Sequence, residues 1–494
     1  MPTILKDISR SFSEYVILPG KIRRNTRIDD VNLNSKLTSS IDIPLPFLSA
    51  AMESVSGDRL AIALALHGGL AVLPCGNVSI ERQVNYVKAV KRFKAGFQDQ
   101  VITLKPEQKI SEVVEIMNKH GYTKFPVVDD SRKLIGLLTK ERFHPSRHLD
   151  QTVDSRMMIL KELKYGYEGT TLTEANLMMA EHGINVLPII DKQGILKSVV
   201  FRKDLDKRKE YPNSFIHNVD KRLMVGAAIS THPEDLERAD ELIEAGVDIL
   251  FIDASIGHSE YQEDIIKEIK SRYKIPIYGG NVVDEEGFMF LAKLGVDGIK
   301  VGQGSGSICT TRRVTAHGQG QASTVMECAQ ARNKFYKKTR KYIPICSDGS
   351  IDGTGDMAVA FALGADTIMM GKYFAGFTES PTEVIRSKTI NDGNGVIRAD
   401  VKPYWGEASL RGRNPERYGQ DSQWRYVIEG EEGYVLHKSS IYDRNNGLLR
   451  DIYTLRKAIY DSGCLSLQEF HKKAILKLQS MASFKEGSLN IARD

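Results

Sequence analysis

Eight short apolar runs, each passing into glycine, serine, asparagine or aspartate, constrain this chain more than any other feature. They occupy residues 46–52, 70–73, 223–229, 249–254, 276–282, 298–302, 344–348 and 367–371, with amphipathic stretches between them long enough for helices. Runs without polar alternation fit strands buried on both faces, as a parallel sheet covered by helices requires. Eight strand-plus-helix units predict an α/β chain folded as a (β/α)8 barrel, with a doubly wound open sheet as the alternative. In such a barrel the chemistry collects on the loops at the carboxyl ends of the strands, so the polar residues just after the runs form the predicted site.

One interval breaks the spacing. Roughly 150 residues separate the second and third runs, and two segments inside it are alike. Residues 100–143 and 158–206 each read as an amphipathic helix, a His-Gly pair (His120-Gly121, His182-Gly183), a proline-bearing strand (125–128, 187–190), an Asp-containing turn and a further strand. The matching offset of about 62 residues indicates an internal duplication inserted into the barrel. The expected division is 1–97 for the first part of the barrel, 98–215 for the inserted repeats and 216–494 for the remainder. Residues 403–433 are polar, glycine-bearing and without periodicity, and read as a long loop or lid within a mobile stretch at about 400–435.

The composition of the 494 residues removes several functional classes. Hydrophobic residues make up 41% and charged residues 27%, which excludes disordered, collagen-like and disulfide-scaffold chains. Lys and Arg total 68 against 63 acids, and the net +5 is scattered, so no specific nucleic-acid partner is expected. No stretch approaches the roughly 18 apolar residues of a membrane span and no address tag is recognisable, so the expected compartment is the cytoplasm. Cysteines 75, 309, 328, 346 and 464 are odd in number and lack CxxC spacing, which argues against a disulfide framework and a structural zinc site.

The segment 300–321, KVGQGSGSICTTRRVTAHGQGQ, directly follows the sixth run. Its glycines allow a loop whose backbone groups approach a ligand or cation. Cys309 lies in that loop beside Ser307, Thr310, Thr311, Arg312 and Arg313, a setting suited to a reactive thiolate. Cys346, Cys328 and Cys464 read as buried filler, whereas Cys75 ends the second run and can line the same face. The seventh and eighth units carry Ser347-Asp348-Gly349-Ser350 and Met370-Gly371-Lys372, the loops that usually hold phosphate in these barrels. Asp348 suits the two hydroxyls of a ribose, so the pair of loops reads as a mononucleotide site, with an N-cap of the next helix as the alternative role for Asp348.

SICTT around Cys309, SDGS at 347–350, MMGKYFA from 369, SAAMESVSG from 49 and the inserted repeats together closely resemble the family of inosine-5'-monophosphate (IMP) dehydrogenase and its sister, guanosine monophosphate (GMP) reductase. The resemblance spans essentially the whole chain. It implies NAD-dependent oxidation of IMP to xanthosine 5'-monophosphate, the committed step of guanine nucleotide synthesis, through a covalent Cys309 thioimidate that is then hydrolysed. Catalytic roles are implied for Cys309, Thr311, Arg417 and Tyr418, the last two matching the Arg-Tyr pair of the dehydrogenase flap. Substrate contacts are implied for Ser49, Ser307, Asp348, Gly349, Ser350, Gly371, Lys372, Tyr404, Trp405, Gly406, Glu407, Ala408 and Glu429. NAD contacts would come from Asp253, Ala254, Ser255, Gly302, Gln303 and Gly304, with His232 and Tyr261 either about the adenine or serving as a capping histidine and a packed tyrosine.

A monovalent cation, usually K+, is implied on carbonyls of Gly304, Gly306 and Cys309, completed by a neighbour's Glu486, Gly487 and Ser488, and hence a homotetramer. Ser350 and Ala316 depart from positions where the family often has glycine. The repeats resemble paired cystathionine-β-synthase-type (CBS) modules that often bind purine nucleotides. Each lacks half of the usual ribose-binding pair, with Thr139 but Arg142 in the first and Asp204 but Phe201 in the second, so a degenerate sensor and a ligand-free structural insert both stand. Two other classes also stand beside the dehydrogenase, namely a GMP reductase and a non-catalytic nucleotide-sensing protein.

Overall fold

The computed structural model describes residues 3–93, 97–98, 101–120, 122–145, 147–202, 211–217, 222–391, 395–412 and 427–487. All eight apolar runs form strands, β1 (Phe47–Ser49), β2 (Leu70–Leu73), β3 (Gly226–Ile229), β4 (Ile249–Ile252), β5 (Ile277–Val282), β6 (Gly298–Val301), β7 (Ile345–Asp348) and β8 (Thr367–Met370). They are parallel and close into one barrel in chain order, the seam made by β8 against β1 with Ile368 opposite Phe47 and Met370 opposite Ser49. The open-sheet alternative is thereby excluded.

Side chains alternate between the barrel interior and the helical layer. Leu48, Val72, Ala228, Phe251, Tyr278, Cys346 and Met369 belong to one buried cluster. Phe251 and Tyr278 stack with ring centroids 4.5 Å apart. A Cβ on Gly226 would strike the Phe251 ring, and one on Gly298 the Tyr278 ring, so these two glycines give the aromatics room. Helices between strands bear ordinary stop and start signals. Helix Glu260–Arg272 begins with Ser259 accepting from the Gln262 N–H, carries Glu260 and Glu263 in its first turn, and ends with Lys270 and Arg272 in its last.

The chain divides into two compact units, residues 1–91, 213–217 and 223–494, which include the barrel, and residues 92–212 and 218–222. The second unit shows the duplication in its backbone. Strands Lys124–Val128 and Leu134–Thr139 pair antiparallel with a register shift at Val127/Val128, and strands Val186–Ile190 and Leu196–Phe201 do the same with a shift at Ile189/Ile190. The repeats meet through reciprocal bonds, Leu134 N–H to the Gly194 carbonyl and Leu196 N–H to the Arg132 carbonyl, each 3.0 Å. Adding 62 to one bond's residues gives the other, as a pseudo-two-fold axis demands. Gly121 and Asp204 lie outside the described residues.

Residues 403–433 do not form a loop throughout. Strand β9 (Ile385–Asn391), strand β10 (Val396–Trp405) and strand β11 (Glu432–Leu436) make an antiparallel sheet, with Tyr404 opposite Gly433 and Trp405 opposite Glu432. One face of that sheet is solvated, so charges interrupt its strands and hide the pattern.

Candidate active site

The carboxyl ends of the barrel strands open on a cavity of about 440 Å³. Three stretches of backbone are fastened together at its rim. Thr310 N–H donates to the Glu429 carbonyl (2.9 Å), Glu431 N–H to the Ile308 carbonyl (3.0 Å), Gly406 N–H to the Glu431 carbonyl (3.1 Å) and Glu429 N–H to the Ala408 carbonyl (3.2 Å). The loop after β6, the turn after β10 and the approach to β11 thus hold one another.

Within this frame Cys309 is half-buried, and its Sγ lies 3.1 Å from Thr311 Oγ1. Thr311 Oγ1 donates to Glu429 Oε2 at 3.0 Å. A hydroxyl has one proton, so donating to Glu429 leaves its lone pairs for the thiol. The result is a directed path from the Cys309 thiol through Thr311 to the Glu429 carboxylate. Arg312 and Arg313 are exposed, and the Arg312 stem covers Gly304 and Gly318, so the hydrogen-bond partner of the sulfur is Thr311 and neither arginine. The other four cysteines are buried. Burial pushes the Cys346 thiol up to about 12 and raises those of Cys328 and Cys464.

Ser307, Asp348, Gly349, Ser350, Gly371, Lys372, Tyr404, Gly406, Glu407, Ala408 and Glu429 border the same cavity as Cys309. A Cβ on Gly371 would approach the Tyr404 hydroxyl to 2.8 Å, which requires glycine there. Burial raises the Tyr404 phenol to about 12, although Ser307 hydrogen-bonds it. Lys372 Nζ, exposed, pairs with Asp352 at 3.0 Å. Burial raises the Asp348 carboxyl against the pull of Lys300, and Asn281 Nδ2 donates to its Oδ2 at 3.0 Å.

A second cavity, about 670 Å³, is lined by Asp253, Ala254, Ser255, His232 and Tyr261, together with Cys75. Asp253, Glu407 and Ala408 belong to both cavities.

Several expected residues are elsewhere. Ser49 is fully buried with its hydroxyl 2.6 Å from Ser56 Oγ, because its neighbour Leu48 faces the barrel interior and alternation turns Ser49 away. Trp405 alternates with Tyr404 on β10 in the same way and lies under the Arg411 guanidinium, 3.9 Å from the ring centre. Gly302, Gln303 and Gly304 border neither cavity; Gly302 (φ +135°) and Gly304 (φ +69°) shape the loop against Asp348, Gln321 and Arg312. Glu486 and Gly487, expected to act on a neighbouring copy's cation, lie at the end of the exposed helix Met481–Glu486. Arg417, Tyr418 and Ser488 lie outside the described residues.

Ala316 (φ +61°) and Ser350 (φ +56°) both hold left-handed backbone, and Ser350 Oγ compensates by donating to the Ser305 carbonyl at 2.8 Å. Ala316→Gly relieves a left-handed penalty partly offset by glycine's greater unfolded freedom, so it is expected to stabilise the protein by about 0.5–1 kcal/mol in urea unfolding.

The family model for the IMP dehydrogenase / GMP reductase domain matches residues 9–489. The chain belongs to the IMP dehydrogenase / GMP reductase family. It is 38% identical over 491 residues to the inosine-5'-monophosphate dehydrogenase of Tritrichomonas foetus (97% of this chain, 95% of that one) and 36% identical over 468 residues to that of Aquifex aeolicus (93% and 91%). Among solved structures, a cysteine-to-alanine GMP reductase from Trypanosoma brucei in complex with guanosine 5'-monophosphate superposes with a TM-score of 0.87 at 26% identity, covering 100% of this chain and 99% of that one.

As a member of the IMP dehydrogenase / GMP reductase family the protein is an oxidoreductase, and two site residues escaped sequence reasoning. Lys300, on β6, is fully buried and reaches Asp253 at 3.1 Å and Asp348 at 3.8 Å. Burial alone would lower its ammonium, but the two carboxylates outweigh that and raise it. Asn281, on β5, holds Asp348 and also donates to the Gly302 carbonyl at 2.8 Å. A lysine inside an otherwise apolar strand was the available signal for Lys300. Among the described residues no helix is long and apolar enough to cross a membrane, and no group of three or more His, Cys, Asp or Glu side chains is placed to hold a metal ion.

Proposed function

We propose that the chain is an NAD-dependent IMP dehydrogenase, and the Cys309–Thr311–Glu429 path beside a mononucleotide-sized cavity carries this reading. Ser307, Ser350, Gly371, Lys372 and Tyr404 take the phosphate, Asp348 the ribose, and the backbone of Glu407 and Ala408 with Glu429 the base edge. Cys309 gives up its proton along Thr311 towards Glu429, and the thiolate adds to C2 of the purine. When bound, NAD+ accepts the hydride that leaves C2, and the thioimidate on Cys309 remains. A deprotonated water then attacks C2, the Cys309 sulfur leaves, and xanthosine 5'-monophosphate is released. Arg417 and Tyr418 activate that water.

The adjoining cavity fits NAD by its donor chemistry, since Asp253 and Ser255 offer ribose partners and His232 and Tyr261 flat faces for the adenine. For K+, the Gly306 carbonyl already accepts from Cys309 N–H at 3.1 Å, and its second lone pair is free in principle to join the carbonyls of Gly304 and Cys309. A partner's C-terminal segment completes that set in a homotetramer acting in the cytoplasm. Residues 98–215 are the inserted CBS-type repeats, with or without a purine nucleotide.

The overall likeness to a GMP reductase makes that enzyme the second reading. Purified protein given IMP and NAD+ in potassium and then sodium buffer is expected to form NADH continuously, faster in potassium. No NADH from IMP, with NADPH consumed in the presence of GMP, overturns the assignment in favour of the reductase. Thr311→Val keeps the branched shape and cuts the path, so kcat is expected to fall about 10–100-fold with little change in KM for IMP; an unchanged kcat removes Thr311 from the chemistry.

A further inference from the structure

Glu407 carries a carboxyl that the mechanism above does not use, since only its backbone is assigned to the base edge. Its Oε1 accepts from the Glu53 N–H at 2.7 Å, which fixes the group's orientation. Its Oε2 is buried, has no hydrogen-bond partner, and stands so close to Gly76 that a Cβ there would overlap it. A buried carboxyl oxygen without a partner is rare and points to a ligand or a proton as its complement.

The surroundings favour a cation. Glu407 forms part of the wall between the two cavities, together with Asp253. Glu53 faces it from the loop after β1, Glu429 lines the first cavity on the approach to β11 with its carboxylate taken up by Thr311, and Cys75 and Gly76 border the second cavity. The nearby cations are engaged elsewhere, Arg82 with Glu53 at 3.3 Å, Lys300 with Asp253 and Asp348, and Arg411 over Trp405. Burial, reinforced by Asp253 and Glu53, pushes the Glu407 carboxyl up to about 8, so it is mostly protonated at neutral pH.

We propose that Glu407 is a specificity-determining residue that distinguishes the oxidised cofactor from the reduced one, its carboxylate complementing the cationic nicotinamide ring of NAD+ and its neutral acid complementing the uncharged ring of NADH. This deepens the reading of the second cavity as the dinucleotide site and rests on it. Binding of the cationic ring draws the proton off Glu407, and hydride transfer, which neutralises the ring, draws a proton back from solvent. The group is thus ionised while the cation is present and neutral when the product must leave.

The sign of the pH dependence follows. Because the carboxyl is protonated in the free enzyme below about pH 8, NAD+ binding at pH 7 includes the work of ionising it, about 1.4 kcal/mol per pH unit below its midpoint. Affinity for NAD+ is therefore expected to rise roughly tenfold from pH 7 to pH 9 and then level, with proton uptake or release visible when calorimetry is run in buffers of different ionisation enthalpy. NADH affinity is expected to be flat or to fall over the same range.

The test compares NAD+ and NADH dissociation constants from pH 6.5 to 9.5 for the full-length protein and for Glu407→Gln, which preserves shape and removes titration. The variant is expected to lose the pH dependence, release no proton on binding NAD+, and lower the NAD+ over NADH preference at pH 9 by about tenfold. A variant with the wild-type pH profile and the wild-type preference overturns the role of Glu407 while leaving the dehydrogenase reading intact. Wild-type protein that binds neither dinucleotide overturns both. Glu407→Asp, measured alongside, keeps a titrating carboxyl and is expected to restore part of the pH dependence; failure to restore any would place the effect in packing and overturn the proposal.

Discussion

Cys309→Ser is expected to abolish turnover, with kcat reduced at least ~10³-fold, because a hydroxyl in place of the thiol is far harder to ionise and no base strong enough stands beside it. In the proposed mechanism the Thr311–Glu429 path serves a thiol, intrinsically the stronger acid, and not an alcohol. Binding of IMP should survive, since Ser350, Gly371, Lys372 and Asp348 are untouched. Calorimetry with IMP and NADH formation, measured on the same sample, check both halves. Turnover within tenfold of wild type would exclude a covalent route. A companion observation comes from alkylation, because Cys75, Cys328, Cys346 and Cys464 are buried and Cys309 is not. Iodoacetamide should modify Cys309 first in the native protein, and IMP should protect it.

Arg417→Ala is expected to separate the two halves of the reaction. In the proposed mechanism hydride leaves C2 before water is needed, so the variant should release about one equivalent of NADH per site in a burst and then turn over about 10²–10⁴-fold more slowly than wild type. The slow phase should not vanish, because Glu429 remains connected to the reaction centre through Thr311. Rapid-mixing kinetics with IMP and NAD+ resolve the phases. A variant with an unchanged steady-state rate would remove Arg417 from hydrolysis, and one without the burst would place it in hydride transfer instead. The same variant distinguishes the sister enzymes, since deamination of a guanine nucleotide has no thioimidate hydrolysis to slow.

The barrel was legible because parallel strands covered on both sides must be apolar throughout, and segments such as LAVL at 70–73 and ILFI at 249–252 carry no other message. The cysteine loop and the 347–350 and 370–372 turns were legible because their position after those strands assigns them a common mouth. Legibility stopped where burial decides. Ser49 and Trp405 sit in the right segments, yet alternation along a strand turns their side chains away, and a motif match does not carry that orientation. Lys300 was hidden for the opposite reason, since its meaning depends on Asp253 and Asp348 arriving from strands 47 and 48 residues away in sequence. The β9–β11 sheet escaped because Arg398, Asp400 and Lys402 break the apolar pattern of its central strand, and only the fold shows that Lys402 is buried against the carbonyls of Phe377 and Ser380.

The seam of the barrel also sets a schedule. Strand β1 finds one of its two partners at β2, about 20 residues on, but the other, β8, lies about 320 residues later. At synthesis rates of about 5–20 residues per second, β1 therefore waits from about 16 s to about a minute before its outer edge can be covered. For that time an apolar strand edge is exposed on the nascent chain, which makes the first 75 residues the stretch most in need of a chaperone.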